Sequence, residues 1–314
     1  MKKKIILLVS VLAIFLAAVG VYYVFPDAAF KLLLKAERSR AGLQQHRLEV
    51  EGLHIEYLEG GQGDVLLLLH GFGANKDNWT RISKHLTPHF NVVAPDLPGF
   101  GESSRPSGLD YSIAAQADRV HAFVRRLGLS RFHLGGSSMG GYIAGVYAAQ
   151  HPENVISLWL VAPGGVVSAE PSEMHRQLSA GNSNPLVVES VEEYRRLIDF
   201  IFVQRPFIPG PMLKVLAKDA IKNRPLNQKI WMQILETSKK TGLEDALNGS
   251  MVPALVLWGN SDRALHVSGA KILDSVMPNA QVAIMEDVGH LPMVEKPKET
   301  ADIYLRFLGK KENR

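Results

Sequence analysis

The amino-acid sequence predicts an α/β fold, in which helices cover both faces of a mostly parallel β-sheet. Short continuous apolar runs, suited to strands buried on both faces, alternate with stretches whose apolar residues recur every three or four positions. Residues 112–127 are the clearest of these helical stretches. This alternation is typical of a doubly wound sheet. The apolar runs are residues 65–69, 91–94, 132–134, 156–161, 254–258 and 281–285.

The composition indicates a globular protein with an added membrane segment. Of the 314 residues, 46% are apolar and 21% are charged, and the net charge is +4. Because the positive charge forms no basic stripe, we expect no nucleic-acid partner, and mild attraction to an anionic membrane surface fits better. The chain has no cysteine, which excludes disulfides, thiol catalysis and cysteine-ligated metal sites.

The N-terminus predicts a membrane anchor. Met1 and three lysines precede an uncharged apolar stretch at residues 5–25, which is long enough to cross roughly 30 Å of hydrocarbon as a helix. We expect a retained single-pass signal-anchor with its N-terminus inside, because of those lysines. In a bacterium the folded domain would then lie on the periplasmic side of the inner membrane. The alternative is a cleaved signal peptide and a secreted protein, since Ala18-Val19-Gly20 is a small-x-small triplet.

The segment after the predicted anchor leads into the first strands. Residues 27–44 predict a short amphipathic helix near the membrane surface, or alternatively a solvated connector, so residues 1–45 are interpreted as anchor and linker. Residues 48–50 and 53–57 alternate apolar with polar side chains, which predicts a half-exposed strand pair. We therefore expect the first part of the folded core at residues 46–164.

Residues 165–250 lack a good strand pattern and predict a helical cap inserted between two core strands. Residues 190–202 form its clearest helix, and Ser190 and Glu193 have the spacing of a capping box. The segment is rich in aromatic and long apolar side chains, which suit an apolar pocket or the core of the cap itself. The second part of the core is expected at residues 251–308, followed by a polar tail at 309–314.

The segment Gly136-Ser137-Ser138-Met139-Gly140 predicts a nucleophile on a sharp turn from strand to helix. Such a turn needs glycine two residues before and two residues after the nucleophile, because side chains there would block the close approach of strand and helix. Centring the motif on Ser137 would put Met139 in the second glycine position. The spacing therefore selects Ser138.

An acid and a base follow later strands. Asp262 comes just after the run at 254–258, and His290 comes just after the run at 281–285. The carboxyl ends of parallel strands meet at one edge, and the order serine, acid, histidine is the one expected after this kind of turn. We expect His290 to accept the Ser138 proton and Asp262 to orient the imidazole. Asp287 is the rival acid, although it lies on the same loop as His290.

The tetrahedral intermediate of such a reaction needs backbone donors, and two candidates are predicted. They are the N–H groups of Met139, directly after the nucleophile, and of Phe72, in the loop after an early strand. His70 is expected to shape that loop rather than to act as a base. The loop also imitates a dinucleotide-binding motif with Asp96 as its acid, but Lys76 occupies the third glycine position. Asp96 is interpreted as a turn stabiliser, because it stands at a strand end shortly before Pro98-Gly99.

From His70 to Phe307 the chain resembles the membrane-anchored monoacylglycerol lipases of the α/β-hydrolase fold and related bacterial lipases. The glycine-framed serine motif around Ser138 and the Gly289-His290 motif occur throughout that superfamily. The small residues at 144–149, the segment at 267–270 and the N-terminal span match these lipases more narrowly. The matching stretches are His70-Gly71-Phe72-Gly73-Ala74-Asn75-Lys76-Asp77-Asn78-Trp79, Asp96-Leu97-Pro98-Gly99-Phe100-Gly101, Gly136-Ser137-Ser138-Met139-Gly140-Gly141, Ala144-Gly145-Val146-Tyr147-Ala148-Ala149, Trp258-Gly259-Asn260-Ser261-Asp262, Val267-Ser268-Gly269-Ala270 and Gly289-His290.

The resemblance implies hydrolysis of monoacylglycerols and related lipid esters without a cofactor or a metal. The chain departs from the pattern at Leu291-Pro292-Met293 after the histidine, and the cap is variable, so substrate preference stays open. The alternatives are a carboxylesterase of smaller soluble esters, a C–C bond hydrolase with the same triad, and a binding protein with a hydrolase fold. Acyl-chain length and oligomeric state are not specified by the sequence.

Overall fold

A computed structural model describes Gly20 and residues 23–310. Eight strands form one sheet in the order β1-β2-β4-β3-β5-β6-β7-β8. β2 pairs antiparallel with β1 and with β4, and every other pairing is parallel, which confirms the mostly parallel α/β sheet. The strands are β1 Gln44–Val50, β2 Leu53–Gly61, β3 Val65–Leu69, β4 Asn91–Pro95, β5 Phe132–Ser137, β6 Val155–Val161, β7 Ala254–Gly259 and β8 Ala280–Met285.

Helices fill the connections between the strands, and five of them lie between β6 and β7, where the cap was predicted. Short 3₁₀ turns also occur at Lys76–Trp79 and Pro152–Asn154. The helices are α1 Pro26–Arg40, α2 Thr80–Leu86, α3 Ile113–Arg126, α4 Met139–Gln150, α5 Glu173–Ser179, α6 Val191–Ile201, α7 Gly210–Lys222, α8 Arg224–Lys240, α9 Leu243–Ala246, α10 Ser268–Val276, α11 Pro292–Glu295 and α12 Pro297–Phe307.

The sheet is covered on both faces because its central strands carry apolar side chains on both. In β3, Leu67 and Leu69 pack in the cluster under α3, α4 and α10, whereas Leu66 and Leu68 pack in the cluster under α2 and α12. Side chains of a strand alternate between faces, so a continuous apolar run fills both layers. Except for His290, the predicted site residues therefore follow the carboxyl ends of strands that are packed firmly on both faces.

The prediction that the run at 281–285 is buried on both faces is wrong. β8 is the last strand of the sheet and pairs only with β7. Its Val282 and Ile284 side chains are 39% and 41% exposed. An edge strand can carry the same apolar run as a central strand although less of it is covered, so the run alone did not reveal the strand's position.

α1 is a docked helix, and the strand after it begins at Gln44, just before the predicted start of the core. α1 packs against α2 and α7. Its Arg38 guanidinium donates from Nε and from Nη2 to the two carboxylate oxygens of Asp77, each at 2.6 Å. These contacts favour a helix held on the core over the solvated connector. The outward side chains of Leu32 and Leu33 are 70% and 52% exposed.

Most of the predicted membrane span lies outside the described residues, which include only residues 20 and 23–25 of the stretch 5–25. Within the part of the chain that the structure describes, no helix combines the length and the apolar character needed to cross a membrane.

α6 begins where the sequence predicts a helix within the proposed cap, with one hydrogen bond displaced by a residue. α6 starts after Ser190, whose Oγ accepts the N–H of Glu193 at 3.1 Å. The Glu193 carboxylate accepts the N–H of Glu189 at 2.7 Å, one residue earlier than the predicted capping box requires. At the start of α6, the Ser190 side chain therefore binds a backbone N–H within the helix, and the Glu193 side chain binds a backbone N–H just before it.

Candidate active site

Ser138 lies on a sharp turn between β5 and α4. Its backbone has φ 55° and ψ −119°, a conformation that non-glycine residues rarely adopt. The turn is held in place because the Ser138 N–H donates to the Val161 carbonyl at 3.1 Å and the Ser138 carbonyl accepts the Gly164 N–H at 2.8 Å. Strain of this kind persists where the surrounding structure enforces it, and it is frequent at active sites.

The two glycines that frame Ser138 are required by close backbone packing. A Cβ atom at Gly136 would overlap the backbone of Gly140, and a Cβ atom at Gly140 would overlap the carbonyls of Leu69 and His70. β3, β5 and the start of α4 therefore approach too closely for any side chain at either position. This packing is the physical reason for the glycine spacing used to select Ser138.

Ser137 and Ser138 have different surroundings. Ser138 is partly exposed, whereas Ser137 is fully buried. The Ser137 Oγ has no hydrogen-bond partner among the described residues. Ser137 thus packs inside the sheet as part of β5, and of the two serines Ser138 is the one with an exposed surface.

Asp262 and His290 are in direct contact. The His290 Nδ1 and the Asp262 Oδ2 are 2.8 Å apart. Oδ2 also accepts the indole N–H of Trp258 at 3.0 Å, and Oδ1 accepts the N–H groups of Ala264 and Leu265 at 2.8 and 3.0 Å. Four donors therefore point at one carboxylate, which holds it in a single orientation toward the imidazole.

The geometry supports Asp262 rather than Asp287 as the acid. Asp287 is exposed, with a backbone φ of 54°. Its N–H donates to the side chain of Asn260 at 3.0 Å, so it shapes the loop on which it lies. Asp262 is buried and bonded to His290, which are the two features that an orienting acid needs.

All three predicted catalytic residues follow parallel strands at the same edge of the sheet. Ser138 follows β5, Asp262 follows β7 and His290 follows β8, with β6 between β5 and β7. The structure joins Asp262 to His290 directly and places Ser138 at the edge they share. This is the crevice that a doubly wound sheet offers to ligands.

The two predicted oxyanion donors lie on segments beside Ser138. A Cβ atom on Gly71 would lie 3.1 Å from the Ser138 Cβ, so the loop that carries Phe72 runs next to the nucleophile. Met139 is the first residue of α4, and its N–H has no partner within the helix. The Phe72 ring packs against Trp231 of the cap, with ring centroids 5.5 Å apart.

His70 is fixed as a neutral imidazole within the loop. Its Nε2 accepts the Leu97 N–H at 3.0 Å, so the proton resides on Nδ1, which donates to the Gly71 carbonyl at 2.8 Å. Burial lowers the pKa of His70. Because both ring nitrogens bind the backbone, His70 shapes the loop, in agreement with the interpretation from the sequence.

Asp96 holds a buried ionic network below the same loop. Its Oδ1 accepts the Lys76 N–H, and its Oδ2 accepts the Lys76 ammonium and the Glu102 N–H, all at 2.7 Å. Burial opposes the charge of Lys76, but the neighbouring carboxylates raise its pKa overall. The side-chain hydrogen bonds of Asp96 are to the segments that follow β3 and β4, and its N–H donates to the Glu56 carbonyl of β2 at 2.7 Å, which supports its interpretation as a turn stabiliser.

Apolar side chains of the cap and core form a cluster above the Asp262 loop. Trp231 of this cluster also touches Phe72, and Ile201 accepts the His290 N–H through its carbonyl at 2.8 Å. The cluster therefore extends from the loop of Phe72 to the loop of His290. Its buried members are Met174, Phe200 and Ala264, and the partly buried ones are Leu178, Leu186, Ile201, Trp231 and Leu265.

A separate cavity of about 570 Å³ lies within the cap. It is bounded by the loop 182–188, by α6 and by Arg263, and its lining mixes polar and apolar side chains. None of the three predicted catalytic residues lines it.

Two supporting residues were not predicted from the sequence. Trp258 donates to Asp262, and the Glu295 carboxylate accepts the N–H of Gly289 at 2.8 Å, directly before His290. The available signal was their position, since Trp258 is next to last in the strand before the acid and Glu295 ends the short helix after the histidine.

A parallel sheet whose carboxyl edge carries a strained serine, a glycine frame and an acid bonded to histidine defines the α/β class of serine hydrolases. A family profile for the α/β hydrolase fold matches residues 64–297. The chain therefore belongs to the α/β-hydrolase family. The predicted family and the predicted enzyme class, a serine ester hydrolase, are confirmed by this match and by the relatives of the chain.

Relatives with similar sequences are lipases. The chain is 40% identical over 279 residues to lipase 1 of Psychrobacter immobilis, covering 88% of this chain and 87% of that protein. It is 32% identical over 309 residues to human monoacylglycerol lipase ABHD6, covering 95% and 92%. The crystal structure of a bacterial membrane phospholipase A is 44% identical, with a TM-score of 0.88 and coverage of 98% of each chain.

Proposed function

We propose that this chain is a serine hydrolase that cleaves carboxylic esters of lipids, with monoacylglycerols hydrolysed to fatty acid and glycerol. The observation that carries the proposal is the Asp262–His290 hydrogen bond at the sheet edge shared with the strained Ser138. Relatives named lipase and monoacylglycerol lipase cover most of the chain and support the same substrate class.

The proposed reaction proceeds through an acyl-enzyme. His290 takes the proton of Ser138 as its Oγ attacks the ester carbon, and then gives that proton to the departing alcohol. The N–H groups of Phe72 and Met139 stabilise the negative oxygen of the intermediate, a contribution of roughly 3 to 4 kcal/mol per donor. Water then repeats the sequence with His290 as base, which releases the fatty acid and restores the serine.

Asp262 stabilises the imidazolium that forms at each step. Because three further donors fix its carboxylate, the ring keeps its proton on Nδ1 and leaves Nε2 free to accept the Ser138 proton. The proposed chemistry is supplied by side chains and backbone amides alone.

The apolar cluster around Trp231 and Phe200 supports a lipid acyl chain as the bound group. Pockets for such ligands are mostly apolar with a few polar groups that fix orientation. In this chain the polar groups would be the triad and the backbone donors. The similar membrane phospholipase A makes glycerophospholipids a second candidate substrate.

We further propose that residues 5–25 anchor the protein in a membrane and that α1 lies at the membrane surface. The exposed side chains of Leu32 and Leu33 support this location, because they leave an apolar outer face on a helix that directly follows the apolar stretch. We propose a core at residues 46–164 and 251–308, a cap at 165–250 and a polar tail at 309–314.

Turnover of a substrate panel tests the proposed function. The panel contains monoacylglycerols, diacylglycerols, triacylglycerols, glycerophospholipids and short p-nitrophenyl esters, each assayed with the wild type and with Ser138→Ala. We expect long-chain monoacylglycerols to give the highest kcat/KM, and Ser138→Ala to lose activity on every ester. Turnover confined to short soluble esters would contradict the lipid assignment and favour a carboxylesterase.

A further inference from the structure

The carboxylate of Glu295 joins the loop of the proposed catalytic histidine to the cap. Its Oε1 accepts the Gly289 N–H at 2.8 Å. Its Oε2 accepts the N–H groups of Val203 and Gln204 at 3.1 and 2.9 Å. One side chain therefore bridges the core loop after β8 and the segment after α6.

Contacts around this bridge leave little freedom to the loop. His290 donates its own N–H to the Ile201 carbonyl at 2.8 Å, so the loop and the end of α6 run side by side. A Cβ atom on Gly289 would lie 2.6 Å from the Ile201 carbonyl and 2.9 Å from the Glu295 Oε1. The histidine loop and the end of α6 are thus closely packed at Gly289, directly before His290.

The Glu295 carboxylate accepts hydrogen bonds from backbone N–H groups, and it forms no ion pair among the residues that the structure describes. Glu295 ends α11, where its N–H donates to the Leu291 carbonyl at 3.1 Å, and its side chain reaches back to the loop before the helix. Burial raises the pKa of Glu295, and its backbone hydrogen bonds oppose that rise. The side chain therefore acts on the position of the loop rather than as a partner of another charge.

We propose that Glu295 is a positioning residue that fixes His290 relative to Ser138 by fastening the histidine loop to the cap. This inference rests on the proposed function, in which His290 is the base. Displacement of a reacting group by about 1 Å can cost roughly 10²-fold in rate. Loss of the bridge should therefore slow the chemical step and leave substrate affinity nearly unchanged.

The substitution Glu295→Gln tests the proposal in the full-length enzyme. Glutamine keeps the volume of the side chain but turns an amide donor toward a backbone N–H, which removes at least one of the three hydrogen bonds. Active sites are first counted by fluorophosphonate labelling, and kcat and KM are measured per labelled serine with one soluble ester. We expect kcat to fall about 10-fold or more, with KM changed less than about twofold.

Glu244 provides a matched control in another part of the cap junction. It is buried, and its carboxylate accepts the N–H groups of Val167 and Ser168 at 3.2 and 2.8 Å, without contact to the histidine loop. Glu244→Gln should lower the free energy of unfolding comparably and leave kcat per labelled serine within about twofold of the wild type.

Gly289→Ala disturbs the same contact between the histidine loop and α6, and it replaces Glu295→Gln as the test if that variant does not fold. Its new methyl group would press against the Ile201 carbonyl and the Glu295 carboxylate, so we expect a similar loss of kcat. An unchanged kcat in a folded variant, a change in KM alone, or an equal loss in Glu244→Gln would overturn the positioning role. A wild type that is not labelled at all would instead overturn the proposed function.

Discussion

Among the side chains of the proposed triad, Asp262 makes the most hydrogen bonds. Its carboxylate accepts hydrogen bonds from Trp258, Ala264, Leu265 and His290, so each oxygen has two donors. An amide in the same place would turn its hydrogens toward N–H donors of Trp258 or of the backbone, and an amide facing His290 would require the imidazole proton on Nε2 instead of Nδ1. The identity of this residue as a carboxylate, and not merely its size, is therefore essential.

Asp262→Asn should lower kcat about 10⁴-fold, the size of effect known when the triad acid of a serine hydrolase becomes an amide. The physical reason is that the imidazole of His290 is then held in the wrong tautomer. Steady-state turnover of a soluble ester measures the change. Asp287→Asn is the control, and a larger loss there than in Asp262→Asn would reverse the assignment of the acid.

At the scale of single residues, the glycine frame around the proposed nucleophile could be predicted because backbone packing dictates its neighbours. The spacing of Gly136 and Gly140 follows from the overlap that any Cβ atom would create. Glu295 and Trp258 could not be predicted in the same way. Their roles depend on contacts between segments far apart in the chain, and no local pattern specifies which backbone N–H a glutamate will reach.

At the scale of elements, strands were more predictable than their surroundings. The run at 65–69 matches β3 because buried strands are continuous in apolar character. The run at 281–285 has the same character but lies at the sheet edge, where its exposure is set by missing neighbours. The packing of α1 on the core also could not be predicted from the sequence. A helix on a membrane and a helix on a protein core need the same amphipathic pattern.

The proposed membrane anchor predicts a topology that single cysteines can report, because the chain contains none of its own. Ser275 is exposed on α10 of the folded domain, and Lys2 precedes the predicted span. In spheroplasts of a Gram-negative host, a membrane-impermeant maleimide should label Ser275→Cys before lysis and Lys2→Cys only after it. The reverse order would contradict the proposed orientation, and loss of residues 1–20 from the mature protein would favour a cleaved signal peptide.

At the scale of the whole molecule, the sheet, the cap and the site depend on one another. Parallel strands bring Ser138, Asp262 and His290 to one edge from distant parts of the chain. The cap contributes Trp231 beside the oxyanion loop and the Ile201 carbonyl beside the base. The sheet thus sets the positions of the predicted catalytic residues, and the segment between β6 and β7 contacts the loops beside them.

The most direct test of the central claim is labelling of the full-length protein by a serine-directed fluorophosphonate, followed by mass spectrometry of the modified peptide. Ser137→Ala is the matched control, because the buried Ser137 Oγ has no hydrogen bond to lose among the described residues. We expect the wild type and Ser137→Ala to be labelled on Ser138, and Ser138→Ala to stay unlabelled. Labelling that persists in a folded Ser138→Ala variant, or that disappears in a folded Ser137→Ala variant, would contradict Ser138 as the nucleophile.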